Sequence, residues 1–184
     1  MLGRPLSRPF LSLSRRAEGL SRFVQSYRDL TKHMTARKQW FPLRRSFARL
    51  ERLFEQELKD HDIAFVTDIQ PETLKINADG ELLDQALINL VRNAIDAVKD
   101  RPVRRISALA FYSPDGHIAV VIGDSSPGIP PEQREKIFIP FYTTKRHGSR
   151  IGPALVRQIA LVHGGTVDVM EAPDGGAQLV MHFL

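Results

Sequence analysis

The sequence predicts a two-layer α/β sandwich: a mixed, largely antiparallel sheet, covered on one face by helices near 43–60, 79–99 and 153–163, and preceded by a helical segment. Three observations lead there. Within "DGELLDQALINLVRNAIDAVKD", Leu83, Leu87, Val91 and Ile95 fall at four-residue steps, as do Leu82, Ala86, Leu90, Ala94 and Val98. That broad apolar face needs a sheet to cover it. "RRISALAFY" (104–112) and "HIAVVIGD" (117–124) read as two buried strands joined by a Pro-Asp-Gly turn. At the C-terminal end, "GTVDVMEA" and "GAQLVMHF" alternate apolar and polar residues, with Ala177, Leu179, Met181 and Phe183 on one side.

Composition sets the outer bounds. With 184 residues, 42% of them hydrophobic, the chain can bury one sizeable core with an appendage. No run reaches the length of a membrane-spanning helix. There is no cysteine, which excludes disulfides and thiolate metal sites and suits a reducing compartment. Residues 1–60 carry 14 Lys+Arg against 6 Asp+Glu, whereas 61–184 carry 12 against 15. A basic first third is compatible with nucleic acid or anionic lipid. A solvated basic helix face is the preferred reading, and no nucleic-acid partner is expected. The opening "MLGRPLSRPFLSLSRR" is rich in Arg and Ser and free of acids, like an organelle-targeting segment. Its two prolines favour a tail over residues 1–14.

The elements follow in order. Leu20, Phe23, Val24, Tyr27 and Leu30 give an amphipathic helix over about 15–33. The polar stretch "KHMTARKQWFP" reads as a connector closed by Pro42, so that 15–38 forms one unit and 39–184 the next. A second helix carries Phe47, Leu50, Leu53, Phe54 and Leu58 on one face and ends at Asp60-His61-Asp62. "IAFVTDI" (63–69) and "LKIN" (74–77) are short strands separated by Pro71. In the helix after them, Asn89, Asn93 and Asp96 stand at i, i+4 and i+7 on one stripe. Asparagine has middling helix propensity, so two of them in one interior do not serve the helix itself. They are either solvated side chains or a row of hard oxygen ligands of the kind that suits Mg²⁺ with bound phosphates.

Further along, Asp124 ends a strand and is followed by "SSPGIP". Its carboxylate can accept from a ligand amino group or close an ordinary Asx turn. "REKIFIPFYTTK" reads as a short helix and an aromatic-rich loop. The stretch "GSRIGPALVRQIALVHGG" runs from a glycine-punctuated loop into an apolar-periodic helix, a joint where backbone N–H groups can hold phosphate.

Taken in order, "NLVRNAIDAV", "GDSSPGIP", "IFIPFYTTK" and "GSRIGPALVRQIALVHGG" resemble the ATP-binding catalytic domain of sensor histidine kinases. That domain has the Bergerat-type fold of the superfamily that includes DNA gyrase B subunits and mismatch-repair ATPases. The resemblance covers about 40 to 184, and four motifs in the right order are specific as a set. The helix at 15–33 is similar to the second helix of the family's dimerisation and phosphoacceptor hairpin, closest to the nitrogen-regulation branch. None of the six histidines stands in a phosphoacceptor context, and the expectation is a piece truncated upstream.

The resemblance implies ATP and Mg²⁺ as ligands and a role for each matching residue. Asn93 would bind Mg²⁺. Asn89, one turn earlier, would lie near the triphosphate and the attacking group as the catalytic residue. Asp96 belongs to the same stripe. Asp124 would accept from the adenine amino group, with Gly128 letting the backbone pass close to the base. Phe138 and Phe141 would pack the lid, Lys145 would reach a phosphate, and Gly148, Arg150 and Gly152 would form the phosphate loop. Chemistry of this type is positioning and charge neutralisation, with the nucleophile supplied by another domain. The implied partners are a response regulator and an upstream sensor or phosphoacceptor domain, with a homodimer through 15–33. The implied location is cytoplasmic, in a protein that a membrane anchor could complete.

Three positions depart from the family pattern. Ser126 replaces the first glycine of Asp-x-Gly-x-Gly. Arg150 replaces the second glycine of the phosphate loop, and Pro153 its last leucine. A kinase domain that phosphorylates a histidine in a two-component system is therefore set against a degenerate domain that binds ATP poorly and serves as an interaction or phosphotransfer module. A protein-serine kinase of the mitochondrial dehydrogenase type, which shares the ATP fold, is a third reading.

Overall fold

The computed structural model describes residues 34–140, 142, 151–173 and 175–184. The helix expected over 15–33, and Phe141, Lys145, Gly148 and Arg150, lie outside them. From Ala36 to Leu184 the chain forms one compact unit.

The chain enters through strand β1 (Gln39–Pro42) and helix α1 (Arg44–Asp60), then strands β2 (Ala64–Gln70) and β3 (Lys75–Ala78). Helix α2 (Gly80–Val98) follows, then β4 (Arg105–Tyr112) and β5 (Ile118–Asp124). A one-turn helix α3 (Pro131–Arg134) and a 3₁₀ turn (Lys136–Phe138) precede helix α4 (Gly152–Val162), β6 (Thr166–Glu171) and β7 (Ala177–Phe183). The main sheet has the order β2-β4-β5-β7-β6. Only β2 and β4 pair in parallel; the other neighbours are antiparallel.

Two expectations are corrected here. The connector closed by Pro42 contains a strand: β1 pairs antiparallel with β3, Gln39 opposite Ala78 and Pro42 opposite Lys75. Consequently the strands on either side of Pro71 belong to different sheets, β3 to the small two-stranded one and β2 to the edge of the large one. The short helix also begins earlier than "REKIF", because Pro131 opens it at a position that needs no N–H donor.

Helix-facing and outward residues alternate along the central strands. Ala108, Ile122 and Leu179 lie in register across β4, β5 and β7, as do Ala110, Val120 and Met181. All six are buried, and α2 packs against β4 and β5 while α4 packs against β6 and β7. On the other face Ala119, Val121 and Val180 form a smaller cluster with Leu109 beside it.

α1 buries Phe47, Leu50, Phe54 and Leu58. Leu53, grouped with them by spacing, is 52% exposed, because 100° per residue carries it off their stripe. α2 is capped by Asp79, whose carboxylate accepts from the Glu81 and Leu82 N–H groups at 3.1 and 3.2 Å. It buries Leu83, Leu87, Leu90, Val91, Ile95 and Val98, as its periodicity predicts, and one charge besides. Asp84 is 4% exposed and receives Arg49 Nη1 on Oδ2 at 2.6 Å, while its Oδ1 has no partner among the described residues. The pair ties α1 to α2 through a carboxylate that has left water.

Removing one member of such a pair strands the other, whereas replacing both with apolar groups of similar size costs little. Arg49→Met is therefore expected to lower unfolding free energy by about 2–3 kcal/mol, and Arg49→Met with Asp84→Leu to recover most of it. Urea denaturation of the wild type and both variants measures this. Equal losses in the single and double variants would show that the pair has no coupling.

Candidate functional site

β5 delivers Asp124 to the end of the sheet, and the turn after it fixes the carboxylate. Oδ1 accepts from Ser126 N–H at 2.9 Å and more weakly from Ala177 N–H at 3.4 Å. Ser126 Oγ accepts from Gly128 N–H at 3.1 Å. The hydroxyl of the residue that replaces a glycine thus helps to build the turn. Ser125 ties the same turn back to the sheet, donating to the Val103 carbonyl and accepting from Arg105 N–H, both at 2.9 Å.

Two glycines let this turn meet the β6–β7 turn backbone to backbone. Gly128 has φ +84°, and a Cβ there would lie 3.0 Å from the Gly176 carbonyl oxygen. Gly176 has φ +108°, and a Cβ there would stand 1.9 Å from the Asp124 carbonyl oxygen, closer than any side chain can come. Sequence reasoning found Gly128 and missed Gly176. The only signal was a Gly-Gly pair between two alternating strands, which any hairpin would show.

Between this turn and α2 lies a cavity of about 550 Å³, within the range that takes a nucleotide-sized ligand. Leu90, Ala94, Ile122, Ile129 and Leu179 provide apolar wall; Asn93, Asp96, Asp124 and Gly128 are the sequence-predicted residues brought to it. Asp96 arrives partly committed: its Oδ1 holds Lys99 Nζ at 2.7 Å. That hydrogen bond and charge raise the lysine's pKa above its ordinary value. Both side chains are about a third exposed, so water screens the pair and its contribution to stability is small.

Asn89 is not among the lining residues. It is half-buried and returns its Nδ2 to the Gln85 carbonyl at 2.8 Å, one turn back on the same helix. The Asn93 carboxamide has no such partner among the described residues. Gly152 opens α4 and is buried; Pro153, beside it, lines the cavity. Ile151, the N-cap, makes no side-chain cap, and with Pro153 in the lining the positive end of the helix dipole borders the cavity. Phe138 is buried under the Arg157 guanidinium, 5.2 Å above its ring, and Glu135 holds that arginine at 3.0 Å.

Among the described residues no group of three or more His, Cys, Asp or Glu side chains could cage a metal. A Mg²⁺ ion here would take one protein oxygen, from Asn93, and the rest from phosphate and water, the usual arrangement for that ion. The uncommitted carboxamide on the cavity wall fits that donor set.

Residues 78–184 match the family model described as histidine kinase-, DNA gyrase B- and HSP90-like ATPase. The sensor histidine kinase ZraS of Klebsiella oxytoca is 32% identical over 167 residues, 91% of this chain and 36% of ZraS. The signal transduction histidine-protein kinase AtoS of Escherichia coli is 36% identical over 119 residues, 65% of this chain and 19% of AtoS. The chain thus spans about a third or less of the length of these relatives. Among solved structures, the catalytic domain of histidine kinase ThkA superposes with a TM-score of 0.70 at 31% identity, covering 79% of this chain and 94% of that one. ThkA in complex with the response regulator protein TrrA gives 0.71 at 26% identity, covering 99% and 52%.

Gly176→Ala tests the contact that holds Asp124. The added Cβ must displace backbone, and its φ leaves the range side chains favour, so a loss of about 3 kcal/mol or more is expected. Gly116→Ala is the control, since its φ of +84° carries similar strain but its Cβ would meet nothing within 4 Å. Thermal denaturation of both variants measures the difference, and equal losses would remove the role assigned to the turn-to-turn contact.

Proposed function

The chain belongs to the histidine kinase-, DNA gyrase B- and HSP90-like ATPase family, and from that premise we propose that it is the ATP-binding catalytic domain of a two-component sensor histidine kinase. The observation that carries this reading is the meeting of Asn93 and Asp124 at one apolar cavity. The two are 31 residues apart in sequence and belong to different layers of the fold.

In this reading the adenine lies against the apolar wall and gives its amino N–H to Asp124. The backbone donors on Oδ1 orient that carboxylate and leave Oδ2 to accept. Gly128 keeps the turn free of a side chain where the base would pass. Asn93 would hold Mg²⁺, which would supply charge neutralisation to the phosphates. Asp96 sits beside it on the same stripe, and Asn89 serves the phosphate end one turn earlier, after its carboxamide leaves the Gln85 carbonyl. The start of α4, with Gly152, presents the positive end of its dipole to phosphate, together with Lys145, Gly148 and Arg150 from the sequence before it. The γ-phosphate passes to a histidine on another domain, and catalysis is positioning plus charge neutralisation. A degenerate domain is less well supported, because Ser126 builds the turn around Asp124 rather than obstructing it.

The similarity to a histidine kinase solved with its response regulator supports a response regulator as downstream partner. An upstream sensor or phosphoacceptor domain and a dimer through 15–33 complete the proposed assembly, with this domain on the cytoplasmic side. No described helix is long and apolar enough to cross a membrane.

Calorimetric titration with ATP and Mg²⁺ tests the reading. Asn93→Ala should remove the Mg²⁺-dependent part of the affinity and leave the apo melting temperature nearly unchanged, because Asn93 lies off the core positions Leu90, Ala94 and Ile95. Asp124→Asn should weaken ATP and ADP alike, by about tenfold or more for a lost hydrogen bond to a charged group. Arg150→Ala should weaken ATP more than ADP if its guanidinium meets the terminal phosphate. Wild-type protein that binds neither nucleotide would end the proposal.

A further inference from the structure

We infer that His163 is a positioning residue for this nucleotide site: it locks the register of α4 against α2 and ties both helices to the chain entering at Arg37 and Lys38. The inference rests on the reading of the cavity as an adenine-nucleotide site.

His163 ends α4 and is 2% exposed. Both ring nitrogens are engaged. Nε2 accepts from the Asp79 N–H at 2.9 Å, and Nδ1 lies 2.7 Å from the Ile159 carbonyl oxygen. An amide can only donate and a carbonyl can only accept. The ring is therefore neutral, with its proton on Nδ1 and its lone pair on Nε2. The Phe183 ring meets the imidazole edge-on, 5.7 Å between centroids and 78° between planes, so its orientation is fixed from the sheet side.

Asp79 is the N-cap of α2, and His163 is the C-cap of α4. The bond between them joins the start of one helix to the end of the other, so the two packed helices run in opposite directions. The start of α4, with Gly152 and Pro153, accordingly lies along the later part of α2, where Leu90, Asn93 and Asp96 face the cavity. A directional bond at one end of the pair sets the alignment at the other. The two helices pack on each other, and the apolar side chains they bury, among them Leu87 on α2 and Val156 and Ile159 on α4, attract without direction and leave a small slide cheap.

The entering chain is fastened at the same place. Lys38 Nζ donates to the His163 carbonyl at 2.7 Å, and Arg37 N–H donates to Asp79 Oδ2 at 2.9 Å. A pull on residues 37–38 therefore reaches both helix ends before it reaches any side chain in the cavity. The charged groups facing the imidazole are Lys38 from the entering chain and the Asp79 carboxylate from the cap of α2. Burial first, and Lys38 after it, push the His163 pKa below its ordinary value; the Ile159 carbonyl and Asp79 oppose them. Protonation would put a hydrogen on Nε2 opposite the Asp79 N–H and open the joint. The unfolded chain takes up a proton near the ordinary histidine pKa of about 6.5 and the folded one only below it. Stability from the neutral ring is therefore whole above that value and is lost as pH falls toward the folded pKa.

The experiment compares ATP·Mg²⁺ affinity of the wild type, His163→Gln and His163→Leu by calorimetry at about pH 8 and pH 5. Gln keeps an acceptor for the Asp79 N–H and cannot titrate. At the higher pH it should bind within about threefold of the wild type, while Leu binds about tenfold more weakly, the cost of one lost hydrogen bond at the joint. On acidification the wild type should lose affinity by about threefold more than Gln, the nucleotide's own titration being common to both. Equal affinity of Leu and wild type, or equal acid sensitivity of Gln and wild type, overturns the inference while leaving the nucleotide site in place. The comparison with Gln stands even if the Leu variant does not fold. Failure of the wild type to bind at either pH overturns the nucleotide reading, and this inference with it.

Discussion

The burial of one face of α2 against the sheet constrains every other part of the site. Leu83, Leu87, Leu90, Val91, Ile95 and Val98 are almost wholly enclosed, and each such side chain contributes about 1.5–3 kcal/mol when taken from water. Asparagine in a helix costs only about half a kcal/mol relative to the best formers. The buried face therefore holds the helix in place and leaves room for residues that weaken it. Once that face is turned inward, the helical repeat leaves Asn93 and Asp96 no orientation except toward the flank. The cavity lies there, and its far boundary is the turn that β5 extends beyond the sheet.

Asp124 is held by a different kind of constraint. Its carboxylate sits at the end of the most enclosed strand, β5, where Ile118 to Gly123 are all buried. The backbone around it is closed by Gly176, which comes so near that only a residue without Cβ can occupy the position. The end of the cavity that the proposed reading gives to the base is thus built from strand ends and backbone contacts with little freedom to relax. The end proposed for the phosphates is built from the start of a helix, whose alignment with α2 depends on packing and on a hydrogen bond at the opposite end. Rigidity at one end and adjustable register at the other suit the proposed site, in which the base would stay fixed while a phosphate is handed on.

What the sequence disclosed and what it withheld divide along chain distance. The α2 face, the alternating strands and the Asn–Asp stripe are local periodicities, visible within a window of a few turns. β1 was hidden because four residues ending in proline carry no strand pattern, and its partner β3 lies beyond a whole helix and strand. Leu53 was misplaced by a spacing that fits a stripe only to within one position. Gly176 and His163 escaped for a shared reason. Their roles exist only where distant segments meet, 52 residues apart for Gly176 and Asp124 and 84 for His163 and Asp79. Local pattern specifies which face of each element is buried; it does not specify which backbone atom will be waiting there.

The departures from the family pattern weigh unequally for physical reasons. Positive φ favours glycine, and Asp62 is the one non-glycine residue in that region among the described residues. Ser126 therefore adopts ordinary backbone angles, and nothing about its position demands glycine. Its N–H still reaches Asp124, and its hydroxyl satisfies Gly128. Pro153 stands in the first turn of α4, where an N–H has no partner within the helix and the ring fits the required φ. It leaves the helix intact and, in the proposed reading, subtracts one donor from the phosphates. Of the three substitutions, then, one supplies its own compensation and one is confined to a single lost donor. In the proposed reading, the capacity of the site to hold a triphosphate turns on the stretch that carries Arg150, whose guanidinium would bring to the phosphates a charge that a glycine would not.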